Sequence, residues 1–216
     1  MIGVVLAGGR STRLGQDKVR LRLPGDGRDM LARTVDLLAA CTGGVAVSCR
    51  RSSDAGENGG LRVIPDEVEG LGPLGGVWSA LRALREPVLA LSCDLPFMDG
   101  ATLRRLVAAR NARPSGTVMT TFQQAETGYI EALVAVYEPE SLPFFEEART
   151  RGLRQLNRVI PEAAQVRIPY TRAEARPFFN INFPADLEQA RRMLSPGDSP
   201  AGAARTGDAQ PTDSPS

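Results

Sequence analysis

The chain has 216 residues, 42% of them hydrophobic, with 26 basic and 25 acidic side chains and a net charge of +1. That is enough apolar material for one domain with a real core, and the balanced charge excludes a nucleic-acid coat or a basic membrane patch. Histidine is absent, which excludes a His-based triad, a histidine general base and His-ligated zinc, and leaves Asp, Glu, Lys, Arg, backbone groups or a hard metal ion to carry any chemistry.

The opening IGVVLA, 2–7, is a short apolar run bounded by glycine and predicts a buried strand. No basic stretch with a long apolar core and cleavage site precedes it, so it does not read as a leader. Residues 28–41 place Met30, Leu31, Val35, Leu38 and Cys41 near helical spacing. Strands are expected at 44–49 and 61–66, separated by the polar loop 52–60. GLGPLGG at 70–76 reads as a break leading into a helix over 77–84. The most apolar strand, 87–94, ends in an acid, and a helix follows it over 101–110. Strands are predicted at 116–122 and 129–137. The stretch 141–160 reads as mostly helical with a break at Gly152. QVRIP at 165–169 and FFNIN at 178–182 are short extended pieces, and PADLEQARRML is a last helix with Pro184 in its first turn.

Strands alternating with helices imply an α/β sandwich with a mainly parallel sheet over 1–194. Residues 195–216 have almost no large apolar side chain and predict a disordered C-terminal tail. No apolar run approaches the ~20 residues of a membrane span. The three cysteines, Cys41, Cys49 and Cys93, never form C-x-x-C and suit a reducing cytoplasm.

In such a sheet, ligands gather beyond the carboxyl ends of the strands. Segments 7–18, 66, 72–76 and 94 all fall there. The first of them, LAGGRSTRLGQDK, carries Gly8, Gly9 and Gly15, which let backbone N–H groups approach a phosphate, and Arg10, Arg13 and Lys18 to face its oxygens. It is neither a P-loop nor G-x-G-x-x-G. The alternative is a glycine-rich surface turn. Lys18 is the single lysine among the 26 basic residues. Asp94, at a strand end, suits a Mg²⁺ plan of one carboxylate plus substrate phosphates and water, against a role as helix cap or turn residue. Asp66 is similarly placed, with a turn role after Pro65 as its alternative. GPLGG can present backbone groups to a flat base, or simply start a helix.

The pattern LAGG-x-S-x-R-x-G-x-D-K, a strand-end Asp, GPLGG, S-C-D-x-P and N-x-N-x-P-x-D-L resembles the molybdenum cofactor guanylyltransferases of the MobA type, across Ile2 to about Leu194. The resemblance makes the sandwich a Rossmann-like three-layer one of the nucleotidyltransferase type and implies transfer of GMP from GTP to the terminal phosphate of molybdopterin, with Mg²⁺ and with release of pyrophosphate. It implies that Leu6, Ala7, Gly8 and Gly9 lie along the nucleotide, that Arg13 and Lys18 meet the triphosphate, and that Asp66 contacts the nucleotide. It places Gly72, Pro73 and Leu74 in the guanine pocket, makes Asp94 the metal ligand and a nucleotide contact, and puts Asn180 and Asn182 on the molybdopterin side. It makes Lys18, Asp94 and Arg13 the catalytic set, in a cytoplasmic monomer whose further partners are cofactor-biosynthesis proteins and molybdoenzyme chaperones, with neither nucleic acid nor membrane among them.

Two departures stand out. An asparagine common in this family near the end of the second strand is replaced by VSCR, Val47 to Arg50, and Phe183 stands where threonine is usual in N-x-N-T-P. The attacking phosphate is already anionic, so the implied reaction needs no general base, in keeping with a chain that has no histidine. The competing readings are cytidylyl transfer to molybdopterin, transfer to another phosphorylated small molecule, and nucleotide binding without catalysis. Arg151, Arg154 and Arg158 would share one face if 151–160 is helical, and receive a pterin phosphate or form a solvated basic face. Glu131, at the start of an apolar strand, is expected to line the cleft without a catalytic role.

Overall fold

The computed structural model describes residues 1–7, 18–49 and 60–194, with Lys18 described in its backbone alone. The tail 195–216 and the segments 8–17 and 50–59 lie outside the described residues. Seven strands form one sheet: β1 (Ile2–Leu6), β2 (Val45–Cys49), β3 (Arg62–Pro65), β4 (Val88–Ser92), β5 (Met119–Gln124), β6 (Ile130–Tyr137) and β7 (Gln165–Tyr170), in the order β3-β2-β1-β4-β6-β5-β7. β6 runs antiparallel to both its neighbours; every other pair is parallel.

The apolar strands alternate sides as a two-residue period requires. Val4, Leu6, Ala46 and Ala90 pack with Val77, Trp78 and Leu81 of α2 (Pro73–Leu84) and Phe145 of α4 (Leu142–Thr150). Val5, Val47, Leu89 and Leu91 pack on the other face with Leu31 and Leu38 of α1 (Met30–Ala39) and Leu103 and Leu106 of α3 (Gly100–Asn111). This is the expected three-layer sandwich. A third cluster joins Leu21, Leu23 and Met30 to Phe97, Ile181 and Leu187, the last from α5 (Pro184–Leu194). It fastens the end of the chain beside the end of β4.

Three expectations change. α2 begins at Pro73, not at 77. Proline at the first helical position has its φ already set for a helix and no N–H to satisfy, so GPLGG is the helix start and not a break before it. Helix α4 stops at Thr150, and 151–160 is a turn followed by a short 3-10 turn at Leu156–Arg158, so the three arginines share no helical face. FFNIN joins no strand of the sheet; a 3-10 turn covers Arg176–Phe178 and the remainder is held by single contacts.

The carboxylate of Glu138, just past β6, is nearly fully buried. It accepts from Nε and Nη2 of Arg110 at 2.7 and 2.8 Å and pairs with Arg113 at 3.4 Å, tying α3 to the sheet. Removing its charge leaves two half-buried guanidinium groups without their counter-ion. Glu138→Gln is therefore expected to cost about 2 kcal/mol, below the ~3–5 kcal/mol of a broken fully buried pair because the arginines keep some solvent. Thermal unfolding should show a midpoint lower by roughly 4–8 °C.

Candidate active site

The order β3-β2-β1-β4 sets four carboxyl ends side by side on one edge of the sheet. Along that edge come Asp66 after β3, Ser48 in β2, Leu6 and Ala7 at the end of β1, and Ser92 and Asp94 at the end of β4. Strand-type hydrogen bonding runs on past the strand ends. The Ala7 N–H donates to the Ser48 carbonyl at 3.1 Å, and the Asp66 N–H to the Cys49 carbonyl at 2.8 Å. The positions of these residues are therefore fixed by the sheet and not by loop packing.

The first turn of α2 is drawn tightly against this edge. A Cβ on Gly76 would lie 2.7 Å from Ser48 Oγ and 3.7 Å from Asp66 Oδ1. Any larger residue would push the helix off the strand ends, which accounts for a glycine inside a helix where it costs stability. Gly72 caps the helix at φ 61°, a backbone conformation that side chains rarely adopt. Gly72, Pro73 and Leu74 thus stand as the N-terminus of a helix, with the Asp66 carboxylate beside them. A negative group there is favoured by the helix dipole. Ser48, buried in the position where the expected asparagine is missing, donates to Asp66 Oδ1 at 3.4 Å. Sequence reasoning missed it because a serine inside a strand carries no distinctive signal.

Asp94 follows β4 and accepts from the Ser92 hydroxyl at 2.6 Å. Its own carbonyl accepts from the Ile181 N–H at 2.9 Å. That bond brings the late N-x-N motif, some ninety residues away in sequence, to the end of β4. Asp186 fixes the motif from the other side: its Oδ2 accepts from the N–H groups of both Asn182 and Phe183, each at 2.8 Å. The aromatic ring of Phe183 is half exposed. The Asn180 side-chain oxygen is buried and has no hydrogen-bond partner among the described residues. A buried acceptor left unsatisfied by the protein is a feature of ligand sites.

Asn180 and Asn182 line a cleft of about 450 Å³ with Pro73, Ser92, Glu131 and Arg154. The cleft starts at the first turn of α2 and at β4 and runs past β6. Arg154 is exposed there and makes no ion pair among the described residues, whereas Arg151 pairs with Glu147 at 3.0 Å. A larger cavity of about 760 Å³ lies between the starts of α1 and α3. Of its charged walls, Arg28 and Arg33 pair with Asp26 and Arg105 with Glu174, and none of the strand-end residues line it.

The structure thus gathers Leu6, Ala7, Asp66, Gly72, Pro73, Leu74, Asp94, Asn180 and Asn182 along one edge. Gly8, Gly9, Arg13 and the side chain of Lys18 lie outside the described residues; the Lys18 backbone opens a 3-10 turn, Lys18–Arg20. Among the described residues no group of three His, Cys, Asp or Glu side chains is placed to hold a metal ion, and no helix is long and apolar enough to cross a membrane. A lone strand-end carboxylate suits Mg²⁺, which keeps several waters and takes further ligands from phosphates.

Residues 3–166 match the family described as MobA-like NTP transferase domain. The molybdenum cofactor guanylyltransferase of Rhizobium meliloti is 32% identical, over 88% of this chain and 90% of its own. A probable molybdenum cofactor guanylyltransferase of Chloroflexus aggregans is 33% identical, over 90% and 95%. Among solved structures, molybdopterin-guanine dinucleotide biosynthesis protein A of Archaeoglobus fulgidus superposes with a TM-score of 0.71 at 24% identity, covering 89% of this chain and 98% of its own.

Proposed function

Since the chain belongs to the MobA-like NTP transferase family, we propose that it transfers GMP from GTP to the terminal phosphate of molybdopterin and releases pyrophosphate, giving a molybdopterin guanine dinucleotide. The observation that carries this is the position of Asp94. It closes the row of strand ends on the nucleotide side, and its carbonyl holds the motif that lines the adjoining cleft. A donor nucleotide over β1 to β3 and an acceptor in the cleft would meet at this residue.

GTP lies across the ends of β1, β2 and β3, with its phosphates toward the glycine- and arginine-bearing sequence that follows β1 and its base toward Gly72–Leu74 and Asp66. The acceptor phosphate enters the cleft, where the exposed Arg154 supplies a cation, while the Asn180 oxygen, without a partner among the described residues, is an acceptor for an N–H or O–H elsewhere on the same molecule. Its oxygen forms a bond to the α-phosphorus as the bond from that phosphorus to the bridging oxygen breaks, and pyrophosphate leaves with the electron pair. The residues contribute in-line positioning and charge complementarity, and none need move a proton. Asp94 would hold Mg²⁺, which when bound neutralises phosphate charge. Ser92 orients that carboxylate through its hydroxyl.

The test is pyrophosphate release with molybdopterin and Mg²⁺ in the presence of GTP or CTP. GTP is expected to support turnover, with CTP slower by about 10²-fold or more, the discrimination available to a site built to hydrogen-bond one base. Faster turnover with CTP would move the assignment to cytidylyl transfer. Mg²⁺-dependent GTP binding with no transfer to any phosphate acceptor would leave a nucleotide-binding protein.

A further inference from the structure

The proposed acceptor carries a pterin, and a pterin has one distinctive edge. Its 2-amino-4-oxopyrimidine ring presents two parallel N–H donors, the ring N3–H and the exocyclic amine. A carboxylate matches that fork as it matches the fork of a guanidinium.

One carboxylate in the cleft is placed for this. Glu131 lies near the start of β6 and lines the cleft with Asn180 and Asn182. Its Oε1 accepts from the Tyr170 hydroxyl, while its Oε2 accepts nothing among the described residues. Tyr170 is itself buried and stacks on Phe178 at 4.2 Å between ring centres. The carboxylate is thus held in one orientation by a rigid neighbour, with one oxygen that accepts nothing among the described residues. Next to it Tyr129 is 57% exposed, an unusual state for a large aromatic ring, and its ring lines the same cleft. A flat heterocycle can stack on such a ring. Burial pushes the Glu131 carboxyl above its ordinary range, against the opposing pull of the Tyr170 hydroxyl. Two N–H donors from a ligand would relieve that burial penalty on binding.

We propose that Glu131 is a specificity-determining residue that receives the two N–H donors of the acceptor's pterin ring, with Tyr129 as the stacking face beside it. The inference rests on the acceptor proposed above. Guanine carries the same pair of donors, so position must decide between the two. In the order β3-β2-β1-β4-β6, β6 lies two strands from β1 and four from β3, about 10 Å and 19 Å at the usual strand spacing. Asp66 stands at the far end of that row, and the first turn of α2 lies over Ser48 and Leu6, with Pro73 reaching the cleft. The base of GTP belongs beside Asp66, and Glu131 is left to the acceptor.

The experiment compares binding of 6-hydroxymethylpterin with 6-hydroxymethyllumazine, which has oxygen in place of the 2-amino group, and binding of GTP with ITP, which lacks the same group on the nucleotide. Wild-type protein should favour the pterin over the lumazine by about 10- to 100-fold, the range for hydrogen bonds to a charged group. Glu131→Gln should bring that ratio close to one and leave the GTP-to-ITP ratio unchanged. In the transfer assay the same variant should raise KM for the acceptor and leave KM for GTP as it was. Retention of the pterin preference in Glu131→Gln overturns the proposal. So does loss of the GTP-to-ITP preference, which would assign Glu131 to guanine. Equal binding of pterin and lumazine by the wild-type protein overturns it without recourse to any variant. Pterin binding is read without turnover, so failure of guanylyl transfer would count against the function proposed above and would leave this contact to be judged on the pterin series.

Discussion

Asp94→Asn is expected to lower kcat for guanylyl transfer by about 10²–10³-fold, the usual cost of losing one preorganised group at a developing charge. The substitution is nearly isosteric. The Ser92 hydroxyl, 2.6 Å from the carboxylate, can still donate to the amide oxygen, and the Asp94 carbonyl that holds Ile181 is untouched. The end of β4 and the N-x-N motif should therefore keep their places, and the melting temperature should stay close to that of the wild type. What the amide loses is the negative charge that suits a hard cation. GTP affinity measured without Mg²⁺ should change little, while the gain in affinity on adding Mg²⁺ should be largely lost. Near-wild-type turnover for Asp94→Asn would sink the assignment of this residue.

Lys18→Ala is expected to remove most turnover, and Lys18→Arg to lower kcat/KM by about 10²-fold, again on the scale of one lost electrostatic contact. Composition is the ground for this. A chain that uses arginine for every other basic position keeps one lysine, and keeps it at the end of the glycine-rich stretch of sequence after β1. An ammonium is a compact charge with three donors; a guanidinium is wide, planar and suited to paired contacts. Crowded phosphate oxygens favour the former. The backbone around this position is anchored by its C-terminal neighbours: Val19 packs against one apolar cluster and Leu21 is buried in another. Unchanged melting with reduced transfer would separate a phosphate contact from a folding role. Full activity in Lys18→Arg would reduce the lone lysine to chance.

The parallel half of the molecule was legible from residues alone. β1 and β4 are apolar runs buried on both faces, which only a covered parallel sheet provides. α5 begins at the predicted Pro184, where the proline and the Asp186 carboxylate together define a helix start. Other parts were hidden for identifiable reasons. The glycines of α2 read as breakers because the object that excludes a side chain at Gly76, the Ser48 hydroxyl, is contributed by another strand. The break expected at Gly152 is there, at φ 70° just past α4; the helix expected beyond it is not, because nothing local distinguishes solvated arginines in a helix from those in a turn. Asn180 and Asn182 could be placed beside Asp94 only through a backbone bond from Ile181, and a backbone bond leaves no mark on composition. Looking for site residues at the carboxyl ends of strands pointed to Asp66 and Asp94, which the structure sets on one edge of the sheet. That rule does not point to Glu131, which stands near the beginning of its strand and was expected only to line the cleft.

The reversed direction of β6 therefore matters beyond topology. On the nucleotide side, β1 to β4 are joined by crossings that include α1 and α2, so a change in one connection disturbs a layer of the core. On the acceptor side, β5 turns directly into β6 through residues 125–129. Insertions or deletions in that tight connection leave the order of the parallel strands alone while they reshape the wall that holds Tyr129 and Glu131. On the sites proposed above, one hairpin shapes part of the acceptor's wall, while Pro73, Ser92, Asn180 and Asn182 of the same cleft come from other elements. Editing a few codons of that hairpin is expected to change the fit of the acceptor and leave nucleotide binding unaltered.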